Sequence, residues 1–169
     1  QPYDDFLRDQ IAGDIIASTG PDELYASRVT ATGFLAIGKR YGYKPSPDYQ
    51  HLDFADVIDS VGRSLLGLTV GCARCHDHKY DPISQLDFYR LRAFFDPAFQ
   101  FRKNKLASLP DGNDVKTVSH LMVRGDFRRV GGRVEASFPR IANLSDFVLK
   151  VAKNRSDLRT QFSLWLTNS

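Results

Sequence analysis

At 169 residues, with 42% apolar and 25% charged side chains, the chain has the make-up of one soluble domain, or of one domain plus part of another. Its net charge of +3 is mild, and no Lys/Arg block is long enough to argue for nucleic acid. No apolar run approaches the roughly 20 residues of a membrane span, and two cysteines rule out a disulfide-rich scaffold.

The chain opens at Gln1 without an initiator methionine or a signal peptide, so it reads as a mature form or an excised piece. Residues 2–18 carry Tyr3, Phe6, Leu7, Ile11, Ile15 and Ile16 at helical spacing, with Pro2 at the first turn. Ser18-Thr19-Gly20-Pro21 ends that helix, and a second is expected from 21 to about 37, with Asp22 and Glu23 in its first turn. Gly42, Pro45 and Pro47 mark residues 38–49 as an exposed loop. A third helix is expected over 53–69, running straight into the stretch VGCARCHDHKYDP at 70–82.

Beyond it, Asp81-Pro82-Ile83-Ser84 reads as a turn and helix start. Leu86, Phe88, Tyr89, Leu91, Phe94 and Phe95 then form an aromatic-rich helical face that ends before Pro97. Residues 99–114 are polar and irregular, with a turn at Pro110-Asp111-Gly112. Alternation over 115–124 predicts a strand, and Gly131-Gly132 could close a hairpin onto 133–138. Helical spacing returns at 144–152 and 158–166. The expected fold is mostly α, with a small β element in the C-terminal third. Basic residues gather at 102–105 and 124–133, as a solvated face or as a dock for an acidic redox partner.

Residues 70–82 hold both cysteines and two of the four histidines. Cys72-x-x-Cys75-His76 is the pattern of c-type haem attachment. Each thiol forms a thioether to one former vinyl group, and the histidine that follows becomes the proximal iron ligand. A zinc site needs four donors, and this segment offers three at most. A redox dithiol usually opens a helix after a strand, whereas here the motif follows a helix. Twelve Phe, seven Tyr and one Trp suit either an ordinary core or the walls of a large aromatic cofactor.

A distal ligand would decide between electron transfer and ligand chemistry. Met122 is the sole methionine, His120 shares its alternation phase, and His51 lies in the loop before the third helix. Each is a candidate for the sixth position, and each has an ordinary alternative as core filler or hydrogen-bonded surface residue. His78 is too close to His76 to reach the opposite haem face; it is expected to bond a propionate or a nearby carboxylate, or to be structural. Arg74, Arg63 and Lys79 are candidates to pair propionates, Tyr80 to serve as a phenolate ligand or donate a distal hydrogen bond, and Asp77 to orient a histidine ring. Asp4, Asp5, Asp9 and Asp14 on the first helix read as solvated charges rather than acid–base groups.

The segments PYDDFLRDQIAGDII (2–16), ATGFL (31–35) and DVIDSVGRSLLGLTVGCARCHDHKYDPISQLDFYRLRAFF (56–95) resemble the planctomycete cytochrome c-like domain. HLMVRGDFRRVGGRVEASFPRI (120–141) is similar to the segment joining it to a planctomycete-specific C-terminal domain, and SDLRTQFSLWLTNS (156–169) to the opening of that domain. The resemblance implies a helical c-type cytochrome-like domain over 1–115, then a linking strand or hairpin and the helical start of a second domain over 116–169. Packing of the two parts as one unit is compatible with this division. It also implies one covalent haem c held by Cys72, Cys75 and His76, with Arg74, His78 and Tyr80 beside it. The implied setting is an exported bacterial protein, periplasmic or extracellular, with no membrane span or nucleic-acid partner. Its electrons would pass to a redox partner or to a catalytic domain of the same longer polypeptide. A haem enzyme or gas-binding module with an open distal site, and a structural zinc module, are the alternatives.

Overall fold

The structure is a computed structural model that describes residues 1–39, 41, 46–98, 118–139 and 156–167. Helix α1 spans Tyr3–Ala17 and α2 spans Tyr25–Ala31, with 3-10 turns at Asp22–Leu24 and Thr32–Leu35 on either side of α2. Helix α3 spans Pro47–Val61 and passes into a single π turn at Gly62–Leu66. Helix α4 spans Gln85–Arg92 and α5 spans Ser156–Leu166. Strands β1 (His120–Met122) and β2 (Val130–Arg133) pair antiparallel in a two-stranded sheet. The protein is therefore mostly helical, with its small sheet in the C-terminal third.

Helix α1 is broken at Ala12, whose φ of −139° and ψ of 20° are not helical. The break lies where α1 packs closely on α2: a side chain at Gly13 would collide with the Arg28 carbonyl. The freed main-chain groups find side-chain partners, as buried polar backbone must. Arg159 of α5 donates to the Ile11 carbonyl at 3.0 Å, and the Asp14 amide donates to Thr32 Oγ1 at 2.9 Å. Arg159 also grips the Asp14 carboxylate in a two-pronged pair at 2.9 and 2.7 Å. Asp14 and Asp9, which is buried and 3.5 Å from Arg28, are thus paired structural carboxylates rather than solvated charges.

One core joins residues from both ends of the chain. Ile11, Val57, Ile58, Val61, Val70, Phe88, Tyr89, Phe94 and Phe95 pack with Val134, Phe162 and Trp165. Phe162 lies 5.3 Å from the rings of both Phe94 and Phe95, and Phe138 stacks on Trp165 at 5.1 Å. The expected boundary at 115/116 and the expected helix at 144–152 lie outside the described residues. Among the described residues, no helix is long and apolar enough to cross a membrane.

Three local expectations need correction. Helix α3 begins at Pro47, inside the expected loop, because proline fits a first helical turn, where its missing N–H is not needed. That helix closes at Val61 and a π turn, not at Thr69. Gly131-Gly132 lies within β2 rather than at a turn: Gly131 runs close to Leu121, where a β-carbon would sit 3.2 Å from the Leu121 carbonyl. The hairpin turns earlier, at Arg124 (φ 56°) and Gly125 (φ 74°).

Candidate functional site

The motif sits on a short scaffold between α3 and α4. Gly67, at φ 67°, ends the π turn in the left-handed conformation that glycine adopts without strain. A 3-10 turn then covers Val70–Arg74. Asp59 of α3 anchors its start, with Oδ1 accepting from the Gly71 amide at 3.1 Å and Oδ2 from Arg63 Nε at 2.7 Å. Arg63 is therefore committed to α3.

A 3-10 turn has three residues per turn, so side chains at i and i+3 eclipse. Cys72 lies in the turn and Cys75, three residues on, directly follows it in helical conformation. Both thiols are free; Cys72 is exposed and Cys75 partly covered. The cover is the β1–β2 connection, since a β-carbon at Gly125 would lie 2.6 Å from Cys75 Sγ.

The two histidines of the motif are held in opposite ways. His76 is exposed, and its Nδ1 donates to the Asp77 carbonyl at 2.6 Å. A carbonyl can only accept, so Nδ1 carries the hydrogen and Nε2 is left with its lone pair. His78 Nδ1 accepts from the amides of Asp81 at 2.8 Å and Tyr80 at 3.2 Å, and its Nε2 then donates to Thr69 Oγ1 at 3.1 Å. Both nitrogens of His78 are thus spent on the loop. It ties residues 78–81 back to the approach to the motif, and in this tautomer its 3.4 Å contact with the Asp81 carboxylate is not an ion pair. It is the main chain of Asp77 that orients the His76 ring, while its carboxylate accepts from the Gln85 amide at 2.8 Å.

Helix α4 fastens the motif from below. Its start is fixed by a capping box, in which Ser84 Oγ accepts from the Asp87 amide and the Asp87 carboxylate accepts from the Ser84 amide. One turn apart, Gln85 and Tyr89 then bridge the same two carbonyls. Gln85 Nε2 lies 2.9 Å from the Arg74 carbonyl and 3.1 Å from that of Met122. Tyr89 Oη lies 3.2 and 3.4 Å from them. Burial, opposed by the Arg92 guanidinium, pushes the Tyr89 phenol up to about 12. Neither residue was singled out from the sequence as a site residue. Their i, i+4 spacing on the helix after the motif was the available signal, but a strand 33 or more residues away completes the bridge.

The candidate distal residues occupy different settings. Met122 Sδ accepts from Arg92 Nη1 at 3.7 Å, and Arg92 is itself buried against Asp96 at 2.7 Å. His120 Nδ1 donates to the Val118 carbonyl at 3.0 Å, and no partner of its Nε2 is found among the described residues. His51 stacks on Phe127 of the hairpin connection at 4.6 Å. Tyr80 is 81% exposed under the Lys79 ammonium, which places it at the surface. Arg74 contributes its clasped carbonyl, and its Nε lies 3.6 Å from the β-carbon position of Gly125.

A cleft of about 580 Å³ opens beside the loop, but Asp77, Asp81 and Asp87 in its walls make it a poor seat for a porphyrin. No group of three His, Cys, Asp or Glu side chains among the described residues is placed to hold a metal ion, so the zinc alternative lacks its donor set there.

A family model described as PSCyt2, protein of unknown function (DUF1549), matches residues 1–99, which include the whole motif and α4. No curated protein and no solved structure matches the chain.

Proposed function

The chain belongs to the PSCyt2 family of proteins of unknown function (DUF1549), and from that premise we propose that it is the monohaem c-type part of an exported bacterial protein, carrying electrons. The observation behind this reading is the state of three side chains. Two free thiols stand three residues apart, one in a 3-10 turn and one directly after it, and the imidazole that follows has Nδ1–H committed to the main chain, with no partner of its Nε2 found among the described residues. This donor set fits a covalently held haem: Cys72 and Cys75 would carry the thioethers, and His76 Nε2 the iron bond. When bound, haem supplies one-electron exchange at its iron.

The chain's own residues hold this arrangement. The Asp77 carbonyl keeps the His76 ring in one tautomer, the usual support of a ligating imidazole. Gln85 and Tyr89 fix the Arg74 carbonyl, and through it the position of Cys75. Cys72 and His76 are exposed, so a group attached to them lies at the surface, within reach of a partner. That partner is a separate redox protein or a catalytic domain of the same longer polypeptide, in the periplasm or outside the cell.

One observation favours a second reading, a haem module with an open distal position: the sulfur of Met122 is already engaged by Arg92. Carbon monoxide added to the ferrous, haem-loaded chain separates the two. An electron carrier with a protein-derived sixth ligand keeps its Soret band on mixing, and immediate conversion to the carbonyl spectrum assigns the open site. Loss of the low-spin spectrum in His120→Ala would identify the sixth ligand.

A further inference from the structure

We propose that the β1–β2 connection, residues 123–129, docks a carboxylate-rich face of a protein redox partner. The redox purpose rests on the haem reading above; the binding itself does not. This connection carries Arg124, Arg128 and Arg129 against a single carboxylate, Asp126. All three arginines are exposed, and Asp126 Oδ1 is occupied by the Arg128 amide at 3.0 Å.

Among the described residues, Arg8 pairs with Asp4 and Asp5, Arg63 with Asp59, Arg90 with Asp87, and Arg133 with Glu135. Arg124 and Arg129 have no such partner among the described residues. These two thus offer guanidinium groups whose planar forks match carboxylates two bonds at a time.

Two features shape this patch in advance. The Arg128 guanidinium lies 4.9 Å over the Phe127 ring, which is itself stacked on His51. Arg124 is held at φ 56°, a left-handed conformation unfavourable for a non-glycine residue and of the kind that clusters at functional sites. Its neighbour Gly125 lies against Cys75 Sγ, so a partner seated on these arginines stands next to the attachment site. A duplex is read by a helix or ribbon set in a groove and backed by a longer run of cations. A short connection with a carboxylate at its centre fits a protein face better.

The test is the affinity of the 169-residue chain, without haem, for a fluorescent oligoglutamate peptide, measured at low and at physiological salt. Binding should weaken with salt, and by roughly tenfold in Arg124→Glu/Arg129→Glu. Arg8→Glu/Arg90→Glu, with the same change of net charge on other helices, should bind as the parent does. Arg124→Gly/Arg129→Ser suits the left-handed backbone and should also lose binding, which excludes a misfolded hairpin as the cause. Equal binding by the hairpin and control variants overturns the proposal, as does tighter binding of a DNA duplex or of anionic lipid vesicles. If the peptide binds but no haem can be attached, the docking surface stands and its redox purpose falls.

Discussion

Gly125 packs directly over Cys75: a β-carbon at position 125 would lie 2.6 Å from the cysteine sulfur. Gly125 also sits at φ 74°, so alanine there meets both a steric and a conformational penalty. Gly125→Ala should lower stability by about 2 kcal/mol, as the sum of a left-handed alanine and a crowded contact. In a Cys75→Ala background the same change should cost only about 1 kcal/mol, because the crowded atom is gone. Urea unfolding of the four chains measures this coupling, and additive losses would show that the hairpin does not rest on the thiol.

Tyr89 makes stability depend on alkaline pH. Its phenol ionises near 10.0 in the unfolded chain and is pushed up to about 12 in the folded one, chiefly by burial. Between those values the unfolded chain has lost a proton that the folded chain keeps, so stability falls as pH rises. Below pH 10.0 this group adds no pH dependence. Tyr89→Phe should flatten the alkaline limb. At neutral pH it should cost only about 1 kcal/mol, since Gln85 still donates to both carbonyls. Unfolding midpoints measured from neutral to strongly alkaline pH check both effects.

Met122 is held by Arg92 rather than set apart as a ligand. Met122→Leu should therefore leave the spectrum of the haem-loaded chain unchanged and shift stability by less than about 1.5 kcal/mol. A change from low-spin to high-spin bands in this variant would instead make Met122 the sixth ligand.

Arg159 joins the end of the described chain to the break in α1. Replacing it with methionine leaves the Ile11 carbonyl and the Asp14 carboxylate without this donor, at a cost of about 3 kcal/mol. Asp14→Asn, which keeps an acceptor, should cost clearly less. Guanidine titration of both variants measures the difference, and equal losses would mean that charge alone, not the plugged helix break, carries the contact.

What the sequence made legible was local. Apolar spacing marked α1, α4 and α5, and the Cys72-x-x-Cys75-His76 spacing is what proposes the candidate site. Proline and glycine misled where their meaning depends on neighbours: Pro47 opens a helix instead of breaking one, and Gly131 allows two strands to approach instead of turning the chain. The clamp of Gln85 and Tyr89 was not legible because half of it is a strand carbonyl brought in by tertiary packing. His78 shows the same limit. Its chemistry suggested a propionate, a nearby carboxylate or a structural role; the Asp81 carboxylate does lie 3.4 Å away, but the backbone amides of Tyr80 and Asp81 that fix the ring are nearer and carry no sequence signal.

The central claim is covalent haem on Cys72 and Cys75, and the pyridine haemochrome spectrum of the denatured chain tests it most directly. The chain should be produced in an exporting host that carries haem-attachment machinery, and freed of loose haem by acid–acetone. A c-type spectrum at one haem per chain, lost when both cysteines are replaced by alanine, is the predicted result. A chain that emerges colourless, with both thiols still free to alkylate, would contradict it.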